Sequence, residues 1–100
     1  VSDRVIRHVV IRGRVQGVGY RAFVEDEAHQ HRLQGWVRNR RDGSVEAVFA
    51  GPVAEVEAAI EACRRGPFSA HVSALDQRDG TEADLAVRAG GGMFSVRPTI

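Results

Sequence analysis

Cys63 is the only cysteine in a chain of 100 residues, so no intrachain disulfide can form and no cysteine cage can hold a metal. A lone thiol fits a reducing compartment. The sequence also lacks any run approaching the ~20 apolar residues that cross a bilayer, and its first residues lack the apolar core of a signal peptide. A cytoplasmic protein with no membrane partner is therefore expected. No Gly-x-Ser-x-Gly occurs, and Cys63 falls on an apolar helical stripe, where a buried structural thiol is a better reading than a nucleophile. His29 and His31 are two apart and diverge on a helix, while His8 and His71 have no acidic or cysteine companions at ligand spacing. Neither a metal nor a cofactor is expected. The formal net charge of +1 gives no general attraction to nucleic acid, although Arg38, Arg40 and Arg41 form a local basic cluster suited to a small anion. The length suits one domain over residues 1–100.

What the sequence does have is a glycine-punctuated stretch, Gly13-Arg14-Val15-Gln16-Gly17-Val18-Gly19-Tyr20-Arg21, between an apolar strand pattern and a helical one. The first N–H groups of a helix lack intrahelical partners and carry the positive end of its dipole, so a loop feeding a helix start can bind an anion through backbone alone. Gly17 and Gly19 permit positive φ and a close approach to a ligand. Arg21 in the first turn is a cation at the unfavourable end of the dipole, a mismatch of roughly 0.3–1 kcal/mol that a bound anion would remove. From the glycines alone, a tight turn with a solvent-directed arginine is the better reading. The stretch is neither a G-x-G-x-x-G dinucleotide loop nor a Walker loop.

From Gly13 to Arg21 the chain resembles the acylphosphatase family, whose signature is close to Gly-x-Val-Gln-Gly-Val-x-Phe/Tyr-Arg. A second family segment follows at Gly35-Trp36-Val37-Arg38-Asn39-Arg40-Arg41-Asp42-Gly43-Ser44-Val45 and runs on to Gly51-Pro52. The resemblance covers about residues 5 to 75 and a C-terminal Phe94-Ser95-Val96-Arg97. Tyr20 stands where phenylalanine is commoner. The glycine-rich segment before Met93 and the added Pro98-Thr99-Ile100 depart more clearly, which leaves any role of the C-terminus beside the site open.

The coarse pattern gives a strand over about Val5 to Gly13, with Val9 and Ile11 inward, and a helix over about Tyr20 to His31, with Phe23, Val24, Ala28 and His31 near the inner side and Glu25, Asp26, Glu27 and Gln30 facing water. Trp36 to Arg40 and Ser44 to Ala50 form a hairpin about Asp42-Gly43, with Val45, Ala47 and Phe49 inward. A second helix follows Gly51-Pro52, carries the stripe Val53, Val56, Ile60 and Cys63, and ends at Gly66-Pro67. Short strands are expected at Val72 to Leu75 and Phe94 to Arg97. The polar stretch from Asp79 to Gly92 has only a weak apolar patch at Leu85 to Val87, and Gly90-Gly91-Gly92 reads as a flexible connector. This is the α+β, ferredoxin-like split β-α-β sandwich, βαββαβ plus a short C-terminal strand, with two helices on one face of an antiparallel sheet. In it the first two strands run parallel with a third between them, so the loop ending in Arg21 and the strand ending in Asn39 meet at one edge.

The resemblance implies an acylphosphatase: hydrolysis of the carboxyl-phosphate bond of a small acyl phosphate, with inorganic phosphate as product and competing ligand. A monomer is expected, and with no ligand cluster visible the reaction is expected to need no metal. The resemblance also implies that Val15, Gln16, Gly17, Val18, Gly19 and Tyr20 bind the phosphoryl group together with Arg21, and that Asn39 positions the attacking water. Such chemistry suits a site with no strong acid or base, because the leaving carboxylate, with a pKa of about 4, needs no proton. In isolation Asn39 reads as a hairpin-flanking residue that satisfies a turn. The rivals on the same fold are a domain that only senses an anion or a protein, which need not keep Asn39, and an RNA-binding sheet, which needs exposed aromatics on neighbouring strands.

Overall fold

Alternation makes the first strand. Val9 and Ile11 are completely buried while their neighbours are partly or fully exposed, and a computed structural model, which describes residues 3–86 and 93–100, carries this strand as β1 (Arg4–Arg14). There follow α1 (Tyr20–Gln30), β2 (Gln34–Asn39), β3 (Val45–Pro52), α2 (Val53–Arg65), β4 (His71–Asp79), α3 (Glu82–Leu85) and β5 (Phe94–Val96). The strand order is β4-β1-β3-β2-β5. β3 pairs antiparallel with both β1 and β2, so these two run parallel on either side of it. Val45 of β3 is opposite Ile11 on one side and opposite Asn39 on the other. The ends of β1 and β2 are thereby level, at one edge of the sheet, as the topology requires.

The two long helices cover one face. Val24 and Ala28 of α1 and Val56, Ala59, Ile60 and Cys63 of α2 join Val9, Ile11, Val37, Val45, Ala47 and Phe49 in one buried cluster. Burying a side chain of this size contributes about 1.5–3 kcal/mol, which makes this layer the main source of stability. Gly35 lets β2 lie close to β3: its φ is 141°, and a Cβ there would run into the Val48 carbonyl oxygen.

The opposite face is more covered than the sequence suggested. Trp36, Val48 and Ala50 are buried there with Leu85 of α3, and the Trp36 indole N–H donates to the Asp84 carbonyl oxygen at 2.8 Å. α3 is one turn, held by a capping box in which Thr81 and Asp84 each accept from the other's backbone N–H. Beside it the Glu46 carboxylate lies 2.7 Å from His8 Nε2 and 2.8 Å from Arg38 Nε, and the Arg38 guanidinium sits 4.6 Å from the centre of the Trp36 ring.

Two strands differ from expectation. β4 is nine residues long rather than four, because β1 supplies backbone partners along its length although most of its side chains are exposed. β5 pairs parallel with β2, so the otherwise antiparallel sheet gains a parallel edge. The expected connector at Gly90-Gly91-Gly92, and Val87, lie outside the described residues. Among the described residues, no helix is long and apolar enough to cross a membrane.

Candidate active site

After β1 the chain turns on two apolar anchors and two glycines. Val15 is buried and Val18 packs against the same core, which fixes the loop from below. Gly17 and Gly19 have φ of 73° and 78°, in the left-handed region, and a Cβ at either would meet nothing within 4 Å. The glycines are thus needed for backbone conformation, while the space above them is open. Gly19 is the N-cap of α1; no side chain caps it and no acidic residue lies in the first turn. The first N–H groups of this helix are left for an outside acceptor.

A cleft of about 320 Å³ opens over this loop, and Val15, Gly17, Gly19, Tyr20, Arg21 and Asn39 all line it. Arg21, on the first turn of α1, and Asn39, the last residue of β2, come together through the levelled strand ends. No ion pair holds Arg21 among the described residues, and the buried Asn39 Oδ1 has no hydrogen-bond partner there. A buried amide oxygen without a partner loses roughly 1–3 kcal/mol, which a bound molecule can return.

Gln16 and Val18 do not line the cleft. The Gln16 side-chain amide instead donates to the carbonyl oxygens of Arg40 and Ser44, both at 2.8 Å. The basic cluster also disperses, since Arg38 pairs with Glu46 on the far face and neither Arg40 nor Arg41 reaches the cleft lining. In their place the wall is completed by Ala22, Glu25 and Val96. Glu25, expected to face water, lies one helical turn after Arg21 and so on the same side of α1, a spacing that was available in the sequence. Val96 arrives through β5 and had no such signal.

Tyr20 faces two ways. It lines the cleft, yet its ring is buried and its hydroxyl donates to the Cys63 carbonyl oxygen at 2.6 Å. Burial, reinforced by Cys63, pushes the phenol pKa up, and burial pushes the Cys63 thiol up to about 12. Neither is available as an acid, base or nucleophile near neutral pH. In the hairpin beyond Asn39, hydrogen bonds from the Ser44 hydroxyl and N–H hold the Asp42 carboxyl below the ordinary carboxylate range. The C-terminal residues lie beside the site: Arg97 N–H donates to the Val37 carbonyl at 2.8 Å, and Ile100 N–H donates to the Asn39 carbonyl at 3.2 Å.

An uncapped helix start, an unpaired guanidinium and an unpartnered amide around one open cleft can take a phosphate-sized anion and one neighbouring polar molecule. The sequence model of the acylphosphatase family matches residues 7–87. The chain belongs to the acylphosphatase family. It is 56% identical over 96 residues to an acylphosphatase of Rhodopseudomonas palustris (strain BisB18), covering 96% of this chain and 97% of the relative. Among solved structures, an acylphosphatase from Bacillus subtilis superposes with a TM-score of 0.81 at 33% identity, covering 93% of this chain and 98% of that one. One from Coxiella burnetii gives 0.82 at 30%, covering 95% and 94%. The acylphosphatase match spans both the loop and the Asn39 strand.

Proposed function

We propose that this chain hydrolyses the carboxyl-phosphate bond of small acyl phosphates to a carboxylate and inorganic phosphate, without a metal ion. The observation that carries the reading is the meeting of Arg21 and the unpartnered Asn39 amide in one cleft over an uncapped helix start. Backbone N–H groups of the Val15–Tyr20 loop, at the positions that line the cleft, hold the phosphoryl oxygens, and Arg21 adds a charged, bidentate donor. These donors screen the phosphoryl charge from the incoming water. Asn39 accepts a hydrogen bond from that water and aims it in line with the leaving oxygen.

In the reaction a bond forms between the water oxygen and phosphorus while the bond from phosphorus to the carboxyl oxygen breaks. The bonding pair leaves with the carboxylate, and the water proton passes to a phosphoryl oxygen. No side chain has to protonate so weak a base. The reading calls for no metal: among the described residues no group of three His, Cys, Asp or Glu side chains is placed to hold one. A small substrate is favoured over RNA because Trp36 and Phe49 are buried rather than offered for stacking.

Hydrolysis of benzoyl phosphate, followed in the presence of a chelator and increasing inorganic phosphate, tests the proposal. Turnover that is insensitive to chelator and competitively inhibited by phosphate is expected. Absence of turnover, or activity lost to chelator and restored by a divalent ion, would overturn it.

A further inference from the structure

We infer that Gln16 is a positioning residue: its side-chain amide locks the hairpin that follows Asn39 onto the phosphate loop and so sets where the attacking water stands. The inference rests on the proposed role of Asn39. Both N–H bonds of the Gln16 amide are engaged, one with the Arg40 carbonyl and one with the Ser44 carbonyl, each at 2.8 Å. These two carbonyls flank the mouth of the hairpin. Arg40 N–H donates to the Ser44 carbonyl at 2.9 Å, and Gly43 N–H donates to the Arg40 carbonyl at 3.1 Å, so Gln16 adds to each carbonyl a partner from outside the turn. Arg40 directly follows Asn39, and Val45, which directly follows Ser44, is the strand partner of Asn39.

The two bodies joined by Gln16 are not equally secured without it. The loop is fastened to the core by Val15 and Val18 and continues into α1. The hairpin is exposed at Arg41, Asp42 and Gly43, and among the described residues its other ties are an Arg12–Asp42 ion pair at 3.6 Å between half-exposed side chains and a bond from Arg41 N–H to the Ile100 carbonyl at 2.7 Å. Loss of Gln16 therefore shifts the hairpin and Asn39 while leaving the anion-binding loop in place. The consequence falls on the chemical step, not on phosphate affinity.

A double-mutant cycle between Gln16→Met and Asn39→Ala tests this, with kcat for benzoyl phosphate and the inhibition constant of inorganic phosphate as readouts. Methionine keeps the length and volume of the side chain but donates nothing. A misplacement of the order of 1 Å in a reacting geometry reaches about 100-fold in rate, so Gln16→Met is expected to lower kcat by about 10- to 100-fold with phosphate inhibition unchanged. In the Asn39→Ala background the same change is expected to have little further effect, because its target is gone. Equal effects in both backgrounds, or a phosphate inhibition constant that rises in step with the loss of kcat, would overturn the positioning role. An Asn39→Ala variant with normal kcat would instead remove the underlying reading. If Gln16→Met populates unfolded protein, Gln16→Glu, read per folded molecule, gives the same comparison, since the carboxylate cannot donate to either carbonyl.

Discussion

The Tyr20 hydroxyl donates to the Cys63 carbonyl oxygen at 2.6 Å, joining the first residue of α1 to the last turn of α2. That carbonyl has no helical donor available, because the residue four positions on is Pro67, which has no N–H. The residue next to Arg21 is thus held from the far side of the core. Tyr20→Phe keeps the packing and leaves one buried carbonyl unsatisfied, an expected loss of about 1–3 kcal/mol. Urea unfolding measures it. An unchanged midpoint would show that the carbonyl finds another partner.

Cys63 is completely buried, and burial pushes its thiol up to about 12. A thiol reagent at pH 8 is therefore expected to leave the native protein unmodified and to react at once in denaturant. Rapid stoichiometric modification of native protein would contradict this placement.

Glu46 gives the far face a pH dependence. Burial pushes its carboxyl up, but hydrogen bonds from His8 and Arg38, with their charges, outweigh this and hold it below its ordinary value. A folded-state value below the unfolded one, about 4.3, means that the stabilisation is complete above that pH and is lost as pH falls through the lowered folded value. Glu46→Gln is expected to lose roughly 1.5–3 kcal/mol near pH 7 and progressively less in acid. Melting curves from pH 7 to pH 2 measure the difference. A gap that stays constant or widens in acid would contradict it.

Elements with two strong local signals were legible in the sequence. β1, α1, the hairpin and α2 combine apolar periodicity with glycine or proline at their ends, and Val45, Ala47 and Phe49 are inward as the alternation demands. α3 was not legible because Thr81 to Leu85 has only Ala83 and Leu85 as apolar residues and its helix is a single turn. The burial of Val48 and Ala50 depends on α3 and was hidden with it. β4 lacked alternation because an edge strand needs only backbone partners on one side. At the site, the approach of Arg21 to Asn39 followed from topology, but the direction of the Gln16 side chain did not. A glutamine beside glycines suits an anion loop equally well whether it faces the ligand or, as here, the Arg40 and Ser44 carbonyls.

Arg21→Ala removes the one side-chain charge assigned to the phosphoryl group in both ground and transition states. KM for benzoyl phosphate is expected to rise and kcat to fall together, with the fold intact, because the side chain lies at the cleft rather than in the core. Steady-state kinetics beside a melting curve checks this. A fall in kcat with unchanged KM would contradict a role in binding.

The most direct measurement is kcat of Asn39→Ala alongside its inhibition by inorganic phosphate. With the loop and Arg21 intact, phosphate inhibition is expected to match the unmutated protein, while kcat falls on the order of 10²–10³, or ~3–4 kcal/mol, the usual loss for one preorganised polar group. Near-normal kcat in a folded Asn39→Ala variant would contradict the assignment of water positioning to Asn39.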